Sequence, residues 1–161
     1  MKHLYIVRGL PGSGKSSMAN KLASIASVTE FNAPHWITED PLTPCGVHIE
    51  ADQFFHKTDG TYRFDKSELP LAHKWCQSRA NELMKEGRDI AVSNTFSTNW
   101  EMDPYIKMAD HFGYNVFIIE CQNNFGSIHN VPEKSMNRMR DRWEEPKHRK
   151  NLGVEKPNDS A

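Results

Sequence analysis

The stretch that most restricts how this chain can fold is Gly9-Leu10-Pro11-Gly12-Ser13-Gly14-Lys15-Ser16. It matches G-x-x-x-x-G-K-[ST], the phosphate-binding P-loop, at every fixed position. The glycines let the backbone turn tightly and aim N–H groups at phosphate oxygens. Lys15 reaches the β- and γ-phosphates, and the Ser16 hydroxyl is placed to bind Mg²⁺. A P-loop needs a strand before it and a helix after it, so that the helix dipole points at the anion. Both are legible. Lys2 to Arg8 is a short β-rich apolar run, and the segment from Ser17 carries apolar residues at Met18, Leu22 and Ile25. Gly12, Ser13, Gly14, Lys15 and Ser16 are thus candidate nucleotide contacts.

The rest of the chain repeats the strand–helix alternation. Val47 to Asp52 reads as a second strand ending on an acid. Ser67 to Glu86 has the apolar spacing of a long helix, stopped by Gly87. Asp89 to Thr95 is a third strand running into a polar loop. Trp100 to Phe112 is a helix ended by Gly113. Asn115 to Cys121 is a continuous apolar run of the kind buried on both faces. Pro132 to Trp143 is a last helix with proline at its start. Alternation of this kind predicts an α/β fold, a P-loop NTPase of three layers with a parallel sheet of four to five strands. Residues 1–146 form the predicted domain, and 147–161 read as a polar mobile tail. Residues 28–46 are long for a connection, and are read either as a surface flap packed by Phe31 and Trp36 or as a substrate-side wall.

In a parallel sheet, ligands bind beyond the carboxyl ends of the strands. The P-loop, Asp52, the Ser93-Asn94-Thr95 stretch and Glu120-Cys121-Gln122-Asn123 should therefore ring one mouth. With 161 residues and a formal net charge of −1, one domain is expected and no global field draws the chain to a polyanion. The three cysteines fit no metal or disulfide spacing and suggest a reducing compartment. No apolar run approaches the length of a membrane span and no signal peptide opens the sequence, so the expectation is a soluble, cytoplasmic chain with no membrane partner. No feature points to a protein partner.

A P-loop alone does not say whether phosphate goes to water or to a second substrate. The chain lacks N-K-x-D, is short for a motor ATPase, and carries Asp52 where a carboxylate can accept the proton of a hydroxyl attacking the γ-phosphate. Asp52 can equally be a helix cap. Arg63, with Lys57 and His56, follows closely enough to hold an acceptor phosphate. Phe54, Phe55 and Tyr62 are either base-stacking aromatics or core anchors.

Together with the P-loop, the blocks Ile49-Glu50-Ala51-Asp52-Gln53-Phe54-Phe55, Tyr62-Arg63-Phe64-Asp65, Ala72-His73-Lys74-Trp75-Cys76, Ser93-Asn94-Thr95-Phe96 and Trp100-Glu101-Met102-Asp103-Pro104-Tyr105 resemble the polynucleotide-kinase branch of P-loop kinases. Many members are small phage or cellular kinases. The resemblance covers roughly residues 2–145, and its later blocks are more specific than the P-loop. It implies ATP and Mg²⁺ as cofactors, nucleotide contacts at Gly12, Gly14, Lys15, Ser16 and Ser17 with Ser16 on the metal, Asp52 as general base, and a nucleic-acid or nucleotide hydroxyl as acceptor; by their positions in the chain, Arg63, Asn94 and Thr95 are the candidates to bind that acceptor. A hydroxymethylated base in DNA, a nucleoside or a small metabolite are alternative acceptors, and a nucleotide-gated binding module is an alternative of another class.

Two departures from the family pattern stand out. Its third strand often ends in an acid-containing stretch such as D-N-T-N, whereas Ser93-Asn94-Thr95-Phe96 has no acid, which leaves metal to Ser16, phosphates and water, with Asp52 near. Its lid usually offers arginines, whereas residues 122–130 have none. A transition-state cation must then come from His129 or from Arg138, Arg140 or Arg142 on the last helix; Arg138 is the candidate, and a solvated basic face is the alternative.

Overall fold

The computed structural model describes residues 2–25, 46–126 and 130–148; the 28–46 connection except Gly46, Cys45, His129 and the tail beyond 148 lie outside the described residues. The chain alternates β1 (His3–Gly9), α1 (Lys15–Ile25), β2 (Gly46–Ile49), α2 (Leu69–Lys85), β3 (Asp89–Asn94), α3 (Asn99–Phe112), β4 (Asn115–Cys121) and α4 (Glu133–Asp141). Among the described residues the strands form one parallel sheet in the order β2-β3-β1-β4. This is the α/β/α arrangement expected from the alternation, with four strands.

Strand alternation explains the two layers. Leu4 and Ile6 on β1, Ile90 and Val92 on β3 and Ile49 on β2 point to one face, where they meet Ala72, Cys76, Ala80, Leu83 and Met84 of α2 and Met102, Tyr105 and Ala109 of α3. Val7 and Ala91 point to the other face, against Ala19 and Ala23 of α1. Each large side chain buried in this way contributes about 1.5–3 kcal/mol of transfer free energy. The small residues of α1 let it lie close to the sheet, which brings its first turn, and with it Lys15 and Ser16, against the strand ends.

The helix ends carry local signals. Thr98 and Glu101 form a reciprocal capping box at the start of α3. Gly113 ends α3 in the left-handed region at φ 73°. Helix α4 is different: it buries no residue at all.

The boundary that bears on the site differs from the sequence expectation. β2 ends at Ile49, and Asp52 lies in a 3₁₀ turn spanning Ala51–Phe55. The turn forms because the Asn94 side-chain oxygen, at the end of β3, accepts the Ala51 N–H at 2.9 Å, and the Glu50 carbonyl accepts the Gln53 N–H at 3.2 Å. That bond to a neighbouring strand replaces the ladder a longer β2 would need.

Candidate active site

Strand pairing sets the frame. Gly9 stands opposite Cys121 on β4, and Arg8 opposite Asn94 on β3, so the loop after β1 leaves the sheet between the ends of its two neighbours. Within the loop, Gly12 and Gly14 hold φ values of 82° and 86°, conformations that L side chains rarely adopt. Gly9 is needed for space: a Cβ there would lie 2.2 Å from Ser13 Oγ and 2.9 Å from the Cys121 carbonyl. The Met18 N–H donates to the Gly14 carbonyl at 3.0 Å, starting α1, whose N-terminal amides face the same mouth.

On the β2–β3 side, four side chains converge. Ser16 Oγ donates to Glu50 Oε2 at 2.7 Å, and Ser93 Oγ donates to the same oxygen at 2.9 Å. His48 Nε2 lies 2.6 Å from Ser93 Oγ and 3.6 Å from Glu50 Oε2, while its Nδ1 reaches Asn20 Oδ1 at 3.1 Å. Burial holds the His48 imidazole below its usual pKa, with Glu50 acting against that shift. Burial likewise lowers the Lys15 ammonium, and the charges of Glu50, Cys121 and Asp52 oppose it in that order. Lys15 therefore sits where nearby negative charge favours its charged form, as suits a group that meets a polyanion.

Glu50 is the functional candidate that sequence reading passed over. The sequence pattern gives it no role, because reading β2 through to Asp52 makes Asp52 the acid that ends the strand. The sequence leaves metal to Ser16, phosphates and water with Asp52 near; the structure adds the Glu50 carboxylate beside Ser16. At the end of β3, where no acid stands, Ser93 bonds to the Glu50 carboxylate that follows β2. A signal existed: residues at i and i+2 of a strand share a face, so His48 and Glu50 point the same way. The Ser16 hydroxyl and Glu50 carboxylate make an all-oxygen donor pair of the kind that suits Mg²⁺. Among the described residues no group of three or more His, Cys, Asp or Glu side chains could hold a metal on its own. An ion here would share its coordination with phosphate and water.

Asp52 sits one turn further on. Tyr62 OH donates to Asp52 Oδ1 at 2.7 Å, and burial followed by the Asp52 interaction raises the Tyr62 phenol well above its usual pKa, so it stays a donor. Tyr62 is held by an antiparallel bridge to His56, and the Arg63 N–H donates to the Phe55 carbonyl at 3.0 Å. The result is a small excursion beside Asp52 that exposes Tyr62, Arg63 and Phe64. Phe55 is buried and packs on Phe54 and Phe64, and Phe54 also meets Trp75. Of the two readings open for these phenylalanines, Phe55 is a core anchor, while the exposed aromatics beside Arg63 are Tyr62 and Phe64.

The remaining candidates are placed as follows. Asn94 is buried and its amide is engaged with Ala51 and with Cys76 Sγ at 3.8 Å, so it shapes the Asp52 turn from below. Thr95 accepts the Gly9 N–H on its backbone carbonyl at 3.3 Å. Arg138 is exposed. Arg140 lines a cleft of about 340 Å³ on the β4 side of the P-loop, together with Leu10, Ser13, Cys121 and Trp143, and Arg142 Nε donates to Ser97 Oγ at 2.9 Å. The Phe125 N–H donates to the Gly12 carbonyl at 2.8 Å, which lays the start of the segment after β4 across the loop.

Comparison with known proteins agrees with this geometry. A family profile described as an AAA domain matches residues 4–129, and the chain belongs to that P-loop kinase-like family. It is 32% identical over 151 residues to human NEDD4-binding protein 2, an alignment covering 88% of this chain but 8% of that much longer protein. In fold it is similar to a solved Pnkp1/Rnl/Hen1 complex, at 17% identity and a TM-score of 0.51, covering 85% of this chain and 38% of that one. It is also similar to the APS kinase CysC of Mycobacterium tuberculosis, at 15% identity and a TM-score of 0.51, covering 88% and 96%. A gluconokinase of Sinorhizobium meliloti shares the fold at 17% identity and a TM-score of 0.50, covering 90% and 77%. Among the described residues no helix is long and apolar enough to cross a membrane.

Proposed function

We propose that this chain is an ATP-dependent phosphotransferase that moves the γ-phosphate to a hydroxyl of a nucleic acid or nucleotide. The observation that carries the reading is the flanking of the P-loop on its β2–β3 side by Asp52 with an exposed cationic and aromatic rim. Tyr62 bonds Asp52, and the exposed Arg63 and Phe64 follow it in the same excursion, offering a phosphate-binding charge and a stacking surface near the candidate base. A kinase for small uncharged sugars has no need of that rim.

Each residue then has a task. P-loop amides from Gly12 to Ser17 hold the phosphate chain, and Lys15 neutralises charge that grows on the β–γ bridging oxygen as that bond breaks. Asp52 accepts the proton of the acceptor hydroxyl while its oxygen attacks phosphorus in line. Tyr62, by donating to one oxygen of Asp52, fixes the rotation of the carboxylate. Ser16 and Glu50 are the residues that would hold Mg²⁺, which when bound supplies positive charge to the β- and γ-phosphates. Asn94 acts through Ala51, by setting where the Asp52 turn begins, and Thr95 acts through its contact with Gly9. Arg138 is exposed and is not among the residues lining the cleft, so this reading assigns it no part in the transfer step.

The test is transfer of labelled phosphate from ATP to a panel: 5′-hydroxyl oligonucleotides of DNA and RNA, DNA with hydroxymethylated bases, free nucleosides and simple sugars. Saturable labelling of an oligonucleotide, with Arg63→Ala raising the acceptor KM far more than the ATP KM, is the expected result. Labelling of sugars alone would replace this acceptor class with a small metabolite, and binding of ATP with no transfer to any acceptor would favour a nucleotide-gated module.

A further inference from the structure

The side chains beside Ser16 close on themselves. Ser16 and Asn20 stand one turn apart on α1 and so share a face. Glu50 follows β2 in extended backbone, at φ −151° and ψ 152°, so it continues the alternation and lies on the same side as His48. Ser93 is the second-last residue of β3, two positions beyond Ala91, which packs against α1. The circuit runs from Ser16 to Glu50, from Glu50 to Ser93, from Ser93 to His48, and from His48 back to Asn20 of α1.

Counting protons gives the circuit a direction. A serine hydroxyl has one proton to donate. Ser16 and Ser93 both send theirs to Glu50 Oε2, at 2.7 and 2.9 Å. In the 2.6 Å contact between His48 Nε2 and Ser93 Oγ, the ring N–H must therefore donate and Ser93 accept. Nδ1 meets the Asn20 side-chain amide at 3.1 Å, which fixes the plane of the ring. Donors thus run from His48 through Ser93 to Glu50. Ser93 is 1% exposed, so water does not compete for its hydroxyl. The Glu50 carboxylate cannot swing away from Ser16 without leaving that buried hydroxyl unsatisfied, which is costly.

This lock bears on what Ser16 can offer. A hydroxyl that ligates a cation gives the ion a lone pair and must place its proton elsewhere. Glu50 takes that proton, so the lone pairs of Ser16 Oγ remain for an ion. Without Ser93, Glu50 would rotate about its own side chain, and the Ser16 proton would no longer have a fixed acceptor.

We propose that Ser93, oriented by His48, is a positioning residue: by locking Glu50 onto the Ser16 proton it sets the cation affinity of the P-loop. The inference rests on the reading of Ser16 and Glu50 as the residues that would hold Mg²⁺, and direct binding tests it. The probe is the nonhydrolysable β,γ-imido analogue of ATP, titrated by calorimetry against the full chain in Mg²⁺ and in EDTA. A second titration follows Mn²⁺ by paramagnetic resonance with the analogue present. Ser93→Ala should weaken Mn²⁺ about tenfold or more, the scale of a lost partner of a metal ligand, and change analogue binding in EDTA by less than twofold. Ser93→Thr keeps the hydroxyl and should recover most of the Mn²⁺ affinity. His48→Leu should show the same split at smaller size, and His48→Gln, whose amide still donates to Ser93, should reverse it. If Ser93→Ala leaves Mn²⁺ affinity intact, or weakens the analogue equally with and without the cation, Ser93 only packs and the inference falls. If Ser16→Ala leaves Mn²⁺ binding unchanged, the reading of Ser16 as a ligand falls and this inference with it. If the Ser93 split is seen while no acceptor is phosphorylated, the proposed transfer falls and this inference stands.

Discussion

The two sides of the P-loop are built on different terms. On the β2–β3 side, Glu50, Ser93, His48 and Asn94 lie on or just past strands of the core, and each polar group bonds to a neighbour that is itself packed. On the β4 side, the cleft is walled by α4 and the segment after it, which the rest of the molecule holds through a few long-range hydrogen bonds and one stacked ring. The first arrangement suits charge that must be met at a fixed distance, since electrostatic stabilisation depends on preorganised groups. The second suits a surface that admits and releases a ligand, because elements with few buried contacts open at low free-energy cost.

Substitutions can break this contrast. The largest effect is expected for Lys15→Ala, which should cut transfer by at least ~10²–10³-fold, the scale of a lost preorganised donor, and weaken ATP binding too. Steady-state turnover within threefold of the parent would show that this P-loop is not where the reaction happens. Asp52→Asn should lower turnover by ~10²-fold or more while ATP affinity, read by calorimetry, stays near that of the parent. Loss of ATP binding in that variant would move Asp52 from the base to the metal or to the cap of its turn. Glu50→Gln should raise the Mg²⁺ concentration needed for half-maximal rate by about 10–100-fold, the usual range for a group beside a metal. An unchanged Mg²⁺ titration would leave Glu50 as a structural partner of Ser16 only.

On the other side, Asn99→Ala should loosen the segment after α4, which Asn99 holds through Glu144 and Glu145, read as faster amide hydrogen exchange there with turnover little changed; a fall in turnover would mean that the two sides are one rigid unit. Smaller still is a pH effect from the core itself. Burial holds the His73 imidazole below its usual pKa, with Glu101 opposing, and burial does the same at His48. Below about pH 6.5 the unfolded chain therefore binds protons that the folded chain refuses, and stability falls on acidification. Tm should drop between about pH 7.5 and about pH 5.5, and by less in His73→Gln. Arg138→Ala is expected to alter neither KM nor turnover by as much as threefold.

Much of the first side was legible in the sequence, because it is local. Gly9 to Ser16 carries its own geometry, and the apolar periods of α2 and β4 fixed those elements to within two residues at either end. Glu50 was missed for a physical reason: reading β2 through to Asp52 made Asp52 its terminal acid, and only the side chain of Asn94, forty-odd positions away, ends the strand at Ile49. The second side was scarcely legible. Residues 142–147 have no period and no motif, and their placement depends on Arg8 and Asn99, single residues whose partners lie far along the chain. Composition gives such contacts no signature, and Lys147 read as the first residue of a tail.

The strand order carries one more consequence, in time rather than space. β1 occupies an inner position in the sheet, and its neighbours β3 and β4 come from residues 89 onward and 115 onward. The His3–Asp89 contact spans 86 positions and the Arg8–Glu120 contact spans 112. A ribosome working from N- to C-terminus therefore leaves the phosphate loop and its apolar strand unpaired until β3 and β4 have been made. Non-local parallel pairing of this kind closes slowly, so a motif translated before its sheet partners is among the last parts of the domain to be assembled, and the ability to hold a nucleotide arrives only when the sheet does.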